Sequence, residues 1–339
     1  MRFLVIGAGA VGSFVGASLA RAGYAVTLVG RGPHLRAIAA GGIAVRSGRA
    51  TFGVRLPAVE TVDIASDADI VLVAVKAHQL GPIAADLGAL GQRGATIVTM
   101  QNGIPFWFFE GFGGPLEGVH LASVDPGGRI ADRLRASSIV ACVVNAGTRI
   151  PRPGVVEQVG DRSYALGAVA GSLAPLEPLT RAFVEAGLDA GVADDVRDVV
   201  WQKLVGNAVL NPVSALVRAT TAEIVDAPAV RALLAEAMGE LVALGAALGF
   251  GAGAPIPQRL ERTRGFGDQR TSMLQDVDAG RPLEIGPIVG AAVEIGTLAG
   301  VPLPATRRLH ALVELLDRKV RAAEPRHGMA ARAGEDGAT

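Results

Sequence analysis

The chain has 339 residues, half of them hydrophobic, which is enough for about two domains with apolar cores. Lysine plus arginine balance aspartate plus glutamate at 32 each, so no net charge attracts nucleic acid or an acidic membrane. The single cysteine, Cys142, excludes an internal disulfide, and no apolar run is long and uncharged enough to span a bilayer. We therefore expect a cytoplasmic protein with neither a nucleic-acid nor a membrane partner.

Positive charge is concentrated at the start of the chain. The first acidic residue is Glu60, and seven arginines precede it: Arg2, Arg21, Arg31, Arg36, Arg46, Arg49 and Arg55. This distribution predicts that an anionic ligand docks on the first 59 residues. The histidines show no spacing typical of metal ligands, so we predict no metal site.

Residues 3–32 predict a strand, helix, strand unit. An apolar run at residues 3–6 is followed by Gly7, Gly9 and Gly12 in the pattern G-x-G-x-x-G, then by a helix-length segment and a second apolar run at residues 25–29. A secretion signal is the alternative, because Arg2 and the first apolar run loosely fit one. The glycine spacing and the second run favour a phosphate-binding turn.

The glycine turn and the end of the second strand predict the cofactor. In a dinucleotide fold, such glycines permit a tight turn and a close approach to the pyrophosphate, and the helix N-terminus, here Ala10 and Val11, directs amides at the phosphates. The second strand ends at Gly30 and Arg31 with no acidic residue nearby. Arg31 is therefore expected to bind the 2′-phosphate of NADP, although an ordinary solvated arginine is the alternative.

Two further apolar runs, at residues 70–75 and 96–100, predict parallel strands joined by crossover helices. Lys76 and His78 follow the first run, and Asn102 and Gly103 follow the second. Ligands of open α/β sheets bind beyond the carboxyl ends of the strands, so these side chains are candidates for cofactor or substrate contacts. Solvent-facing loop residues and a simple turn asparagine are the alternatives.

The texture of the sequence changes near residue 194. Strand-like pieces at residues 138–145, 155–159, 164–166 and 188–192, with a helix at residues 175–186, precede that point, and helical patterns follow it to about residue 319. We predict an α/β domain with a mostly parallel sheet over residues 1–193, an all-helical domain over residues 194–322, and a disordered tail over residues 323–339.

The segment WQKLVGNAVLNP, residues 201–212, predicts a helix with one polar face. At about 100° per residue, Lys203, Asn207 and Asn211 fall within an arc of about 80°, and apolar residues take the other side. An ammonium beside two amides indicates a partly enclosed polar cleft. A solvated helix face is the alternative.

Over roughly residues 1–320 the chain resembles the ketopantoate reductase (2-dehydropantoate 2-reductase) family. The resemblance rests on GAGAVG (residues 7–12), VKAHQ (75–79), QNG (101–103), WQKLVGNAVLNP (201–212), and SMLQD with the following LEI (272–285). It implies a Rossmann-like NADP-binding domain, a helical domain, and a substrate held in the cleft between them. It also implies NADPH-dependent reduction of a small 2-keto acid, with 2-dehydropantoate of the pantothenate pathway as the first substrate to consider.

The resemblance also implies roles for individual residues. Lys203 would be the general acid and Glu284 would support it; Asn207, Asn211, Ser272 and Lys76 would bind substrate, and Asn102 with Lys76 would lie at the nicotinamide end of the cofactor. The chemistry fits, because an ammonium can stabilise the charge that develops on a ketone oxygen and supply a proton. Two structural alternatives stay open: a capping box formed by Ser272 with Gln275, and a surface carboxylate for Glu284.

Two features depart from the family pattern. Five aromatic residues crowd together after QNG (Phe106, Trp107, Phe108, Phe109 and Phe112), and Gln158 stands where the family often has histidine. The aromatic residues either line an enlarged apolar substrate pocket or form a helix that packs against the sheet. The alternative functions are therefore reduction of a bulkier 2-oxo acid or an imine, or a non-catalytic NADP-binding redox sensor. An apolar helical domain could also pair with a second copy as a homodimer.

Overall fold

The computed structural model describes residues 1–48, 50–64, 66–170 and 174–323. The tail predicted for residues 323–339 lies outside these residues except for Ala323, which ends the last helix. Within the described ranges, no helix is both long enough and apolar enough to cross a membrane.

One sheet organises the N-terminal part of the chain. Its strands are β1 (Arg2–Ile6), β2 (Ala25–Val29), β3 (Ile43–Ser47), β4 (Ala50–Val54), β5 (Ala58–Val59), β6 (Ile70–Val73), β7 (Thr96–Thr99), β8 (Ile139–Arg152), β9 (Val155–Ala168) and β10 (Asp189–Val192). Across the sheet the order is β4, β3, β9, β8, β7, β6, β1, β2, β5, with β10 beside β9. The neighbouring strands are parallel except in the β3/β4 and β8/β9 pairs, so the predicted mostly parallel sheet is confirmed.

The first helices of the chain pack on this sheet, and the C-terminal part consists of helices without strands in its described residues. The first four are α1 (Ala10–Arg21), α2 (Gly32–Gly41), α3 (Ala84–Gln92) and α4 (Leu176–Glu185). The C-terminal helices are α5 (Val196–Val217), α6 (Thr221–Asp226), α7 (Pro228–Ala247), α8 (Ile256–Arg264), α9 (Ser272–Asp278), α10 (Ala291–Leu298) and α11 (Pro304–Ala323), with a π-helical turn at Gly286–Gly290. The predicted fold, a Rossmann-like domain followed by a helical domain, is confirmed; the boundary at residue 193 stays a prediction.

The pieces predicted separately over residues 138–166 are two long strands. β8 and β9 form one antiparallel hairpin, whose pairing register shifts near Gly147 and again between Arg149 and Arg152. Pro151 lies inside the second irregularity, which is where a sheet tolerates a proline because no ladder hydrogen bond is required there. Gly147 and Pro151 therefore mark irregularities within the hairpin, whereas Pro153 and Gly154 form the turn that joins its two strands.

Apolar cores fill both faces of the sheet. On one face, Phe14 of α1, Phe183 of α4 and Tyr164 of β9 are buried together. On the other, the core continues from Leu4 of β1 to Trp201 of α5 and on into the helical domain. Because the second core runs through both domains, the helical domain is anchored to that face of the sheet.

Candidate active site

The turn between β1 and α1 requires glycine at two positions. Gly7 has φ of +113°, and a Cβ there would lie 2.6 Å from the carbonyl carbon of Ala74. A Cβ on Gly12 would lie 2.1 Å from the carbonyl oxygen of Gly7, so only glycine lets α1 pack this closely on the turn. Gly9 differs, because a Cβ there would have no atom within 4 Å. The backbone at Gly9 therefore faces open space beside the helix N-terminus.

The N-terminus of α1 has the character of an anion site. Gly9 is its N-cap residue, no side chain caps the helix, and no acidic residue lies in the first turn. The first amides of a helix lack intrahelical acceptors, so those of Ala10, Val11 and Gly12 are left for a ligand. Together with the positive end of the helix dipole, this arrangement fits the pyrophosphate of a dinucleotide.

Arg31 lies close to this turn. Gly30, which precedes it, packs against Ala8, where a Cβ on Gly30 would lie 2.7 Å from the Ala8 Cβ. Arg31 is the N-cap residue of α2 and is exposed, and its guanidinium forms no ion pair or hydrogen bond within the described residues. A free guanidinium at the end of β2 is therefore available to an anionic group beside the glycine turn.

Lys203 extends from α5 to the carboxyl edge of the sheet. Its Nζ donates to Asn102 Oδ1 at 2.7 Å and to the carbonyl oxygen of Val144 at 2.6 Å. The opposite face of α5 is buried, as predicted, through Trp201, Leu204, Val205, Ala208 and Val209. Burial lowers the pKa of Lys203 to about 8, and Cys142 and the Glu284 carboxylate act in the opposite direction. Because an ammonium has three N–H groups, one donor remains for a further acceptor.

Glu284 lies on the helical-domain side of the same cleft. Its Oε1 accepts a hydrogen bond from the backbone N–H of Ala77 at 3.1 Å. Burial raises the pKa of Glu284, whereas the Ala77 N–H and the cations of Lys76 and Lys203 lower it. Glu284 is therefore an interdomain contact as well as a neighbour of Lys203.

Lys76 is engaged by the helical domain. Its Nζ lies 2.6 Å from Oδ2 of Asp276, a residue that is only 5% exposed. Asp276 also accepts from Arg281 Nε at 2.9 Å. The position of Lys76 after β6 matches the prediction, but its strongest contact is a carboxylate across the cleft. Its proposed contacts with cofactor or substrate stay predictions.

The two asparagines of α5 have no partners for their side chains within the described residues. Asn207 is half-buried and Asn211 is 5% exposed, and neither side-chain amide forms a hydrogen bond there. Amide groups that are shielded from bulk water without a protein partner favour binding of a polar ligand. Both lie on the α5 face that carries Lys203.

The structural alternative for Ser272, a capping box with Gln275, is not the arrangement that the structure shows. Thr271 is the N-cap residue of α9, and its Oγ1 accepts from the N–H of Leu274 at 3.2 Å. The Gln275 side chain donates instead to the carbonyl oxygen of Arg270. Thr271 and Ser272 both carry a hydroxyl, so the sequence does not show which of the two is the N-cap residue of the helix. Ser272 is exposed in the first turn of α9, and its hydroxyl is free for a ligand.

The aromatic segment after QNG is core. Phe106, Trp107, Phe108 and Phe109 are each at most 5% exposed, and the segment forms irregular turns and not the helix that the packing interpretation included. Phe108 contacts the rings of Trp201 and Phe250, and Trp107 donates through Nε1 to Thr99 Oγ1 at 3.1 Å. These residues pack between the sheet and the helical domain, which supports the packing interpretation over an enlarged substrate pocket.

Three contacts in the cleft were not predicted from the sequence. They are the Val144 carbonyl that accepts from Lys203, the Ala77 amide on Glu284, and Asp276 on Lys76. Backbone groups leave no side-chain signal in a sequence. Asp276 belongs to the motif SMLQD, so for this contact the sequence does carry a signal.

The fold and this site define a class of protein: two-domain oxidoreductases in which a Rossmann-like domain meets a helical domain that supplies a lysine. Family models agree in both parts. The model of ketopantoate reductase PanE/ApbA matches residues 3–106, and that of its C-terminal domain matches residues 195–317. The chain belongs to the ketopantoate reductase family.

Similar proteins cover nearly the whole chain. The 2-dehydropantoate 2-reductase of Mesorhizobium japonicum is 38% identical over 319 residues, which span 93% of this chain and 98% of that protein. A solved structure from Ralstonia solanacearum MolK2, assigned to the ketopantoate reductases, has a TM-score of 0.86 at 38% identity and covers 94% of this chain and 98% of its own. The 2-dehydropantoate 2-reductase of Geobacter metallireducens GS-15 has a TM-score of 0.81 at 28% identity, with coverage of 93% and 99%.

Proposed function

We propose that this protein reduces a 2-keto acid to the 2-hydroxy acid with NADPH, and that 2-dehydropantoate is its substrate. The observation that carries the proposal is the Lys203 ammonium, which is held by two acceptors at the carboxyl edge of the sheet with one donor free. The names of the similar reductases support the choice of substrate. A cytoplasmic location and a homodimer remain predictions.

The residues of the N-terminal domain fit the cofactor. The turn from Gly7 to Gly12, with the uncapped amides at the start of α1, would hold the pyrophosphate. Arg31 would pair with the 2′-phosphate that distinguishes NADPH from NADH. Asn102 and Lys76 follow β7 and β6 and would lie at the nicotinamide end. The bound cofactor supplies a hydride to the carbonyl carbon of the substrate.

Lys203 performs the acid step. Its free N–H donates to the keto oxygen, stabilises the negative charge that forms there, and transfers the proton. Asn102 and the Val144 carbonyl restrict the ammonium to one orientation. A pKa of about 8 keeps Lys203 mainly protonated at neutral pH and makes it a stronger acid than an ordinary lysine. The nearby Glu284 stabilises the charged form.

Polar groups without protein partners would bind the rest of the substrate. Ser272 offers a hydroxyl from the first turn of α9, and Asn207 and Asn211 offer amides from α5. A substrate carboxylate and hydroxyl need donors and acceptors of this kind. These groups would orient the keto carbon toward Lys203.

The test compares Lys203→Ala with Lys319→Ala, a variant of an exposed lysine on α11. NADPH absorbance is followed with a panel of 2-keto acids that includes 2-dehydropantoate. Lys203→Ala is expected to lower kcat about 10²- to 10⁴-fold, with NADPH binding intact, because the general acid is lost. Lys319→Ala should leave kcat unchanged.

Two outcomes would contradict the proposal. Full activity of Lys203→Ala would exclude the lysine as acid. Tight NADPH binding by the wild type without reduction of any 2-keto acid would favour a redox sensor.

A further inference from the structure

The N-terminal domain packs on the π-helical turn at two places. On one side, the Ile104 N–H donates to the Pro287 carbonyl at 2.7 Å, and a Cβ on Gly103 would lie 2.3 Å from that same oxygen. On the other side, a Cβ on Gly286 would lie 2.3 Å from the carbonyl oxygen of Ser123. Backbone therefore meets backbone on both sides of the turn, so a small displacement of the turn changes both contacts.

Glu294 joins the second of these contacts. It lies in the first turn of α10, immediately after the π-helical turn, and it is half-buried. Its two carboxylate oxygens accept from consecutive backbone amides of the N-terminal domain, Ala122 N–H at 2.8 Å and Ser123 N–H at 2.9 Å. Within the described part of the chain no cation pairs with it. Its contribution is therefore to hold residues 122–123 against the turn.

The contact between the N-terminal domain and the π-helical turn, called the seam from here on, lies next to two groups that neighbour Lys203. Asn102, the acceptor of the lysine, directly precedes Gly103. Glu284 lies two residues before the π-helical turn and accepts from Ala77 of the N-terminal domain. A shift of the π-helical turn relative to the N-terminal domain would thus move Glu284 and Asn102 relative to each other.

We propose that Glu294 is a positioning residue for the reduction: by holding Ala122 and Ser123 against the π-helical turn, it sets the separation of Glu284 and Asn102 around Lys203. This inference rests on the proposed function. Glu294 contacts neither Lys203 nor the open side of the cleft, so it acts through Glu284 and the QNG turn. Its removal loosens the seam and admits water to Lys203.

The test variant is Glu294→Gln, and the chain offers a matched control in Glu240→Gln. Glu240 of α7 also accepts from two consecutive amides, Ala305 at 2.7 Å and Thr306 at 2.9 Å, but both belong to α11 of the helical domain. Each variant weakens a carboxylate that holds two backbone amides. Only Glu294→Gln weakens such a contact across the domain seam.

The activity readout is the pH profile of kcat. Glu294→Gln is expected to lower kcat about tenfold or more, since small misplacements of reacting groups have effects of this size. Its alkaline limb should move to higher pH, because water that reaches Lys203 relieves the burial that lowers its pKa. Glu240→Gln should lose stability and keep the alkaline limb of the wild type. Equal effects of the two variants, with the limb unmoved, would overturn the proposal.

A second readout does not depend on turnover. Hydrogen exchange is measured on both variants, and Glu294→Gln is expected to increase exchange at residues 101–104 and 76–79 as well as at residues 120–125. Faster exchange confined to residues 120–125 would show that Glu294 stabilises only its own contact with Ala122 and Ser123, and would contradict the inference. If the wild type reduces no 2-keto acid, the proposed function fails, while this comparison still decides whether Glu294 controls the seam.

Discussion

At the scale of single residues, the proposed role of Lys203 as the acid depends on where its ammonium lies. Burial alone would disfavour the ammonium, but Asn102 and the Val144 carbonyl each accept a hydrogen bond from it. Burial lowers the pKa of Lys203 to about 8, and the two acceptors orient its ammonium and leave one donor free. Reduction requires the protonated form, so kcat should be highest below pH 8 and fall as the pH rises through that value.

The titration of Lys203 can be measured directly because the chain has three lysines: Lys76, Lys203 and Lys319. Reductive methylation with ¹³C should give three lysine signals besides that of the N-terminal amine, and the one absent from Lys203→Ala is expected to titrate near pH 8. Glu284→Gln removes a negative charge that stabilises the ammonium, so the midpoint and the alkaline limb of kcat should both move to lower pH. An unchanged or higher midpoint would show that Glu284 does not act on the lysine.

Arg31 carries the prediction on cofactor choice. Arg31→Asp is expected to weaken NADPH binding about tenfold to a hundredfold more than NADH binding, which corresponds to the loss of charge-assisted hydrogen bonds to a phosphate. Arg93→Asp is the control, since Arg93 is exposed and precedes β7 at the amino edge of the sheet. The affinities are measured by fluorescence titration. If Arg31→Asp weakens both cofactors equally, Arg31 does not bind the 2′-phosphate.

At the scale of elements, the start of α9 separates a structural hydroxyl from a free one. Thr271 caps the helix and is 9% exposed, whereas Ser272 extends into solvent one residue later. The two neighbouring residues are chemically similar, and only the entry angle of the chain into the helix assigns their roles. The same helix carries Asp276 to Lys76, so its position affects both sides of the cleft.

Thr271→Ala and Ser272→Ala should therefore have different effects. Thr271→Ala removes the N-cap and is expected to lower the free energy of unfolding by about 1 kcal/mol, measured by urea denaturation. Ser272→Ala should leave stability unchanged and raise KM for the keto acid, because only a substrate contact is lost. Loss of stability from Ser272→Ala with an unaltered KM would assign its hydroxyl to the fold.

At the scale of the whole molecule, ion pairs and backbone contacts hold the two domains around the cleft. Asp276 and Glu284 of the helical domain contact consecutive residues of the N-terminal domain, Lys76 through its side chain and Ala77 through its amide. The apolar core that continues from the sheet into the helical domain lies beneath them. The cleft is therefore built jointly by both halves of the chain.

Asp276→Asn tests this link, with Asp278→Asn as its matched control on the same helix. Asp276 is nearly buried, and its loss leaves Lys76 and Arg281 without their carboxylate, so we expect a loss of about 1–3 kcal/mol in the free energy of unfolding. Asp278 pairs with Arg218 and Arg270, both at least half exposed, and its change should have an effect of about 0.5 kcal/mol. Equal losses of unfolding free energy for the two variants, measured by thermal or urea denaturation, would mean that the Asp276–Lys76 pair stabilises the protein no more than an exposed ion pair does.

The sequence by itself determined the features that local patterns specify. The glycine spacing, the apolar runs of β1 and β2, and the 3.6-residue period of α5 each describe neighbours along the chain, so the nucleotide turn and the polar face of Lys203 were predictable. Helical periodicity also separated the C-terminal domain from the sheet.

Only the tertiary structure decided which groups meet. The acceptors of Lys203 lie 101 and 59 residues away from it, and the partner of Lys76 lies 200 residues away. The aromatic segment became core because the sheet and α5 enclose it, and β8 and β9 became long strands because their partners extend across the irregular positions. Pairing between distant segments, and the removal of water that follows from it, sets the pKa of the lysine; no local pattern encodes either effect.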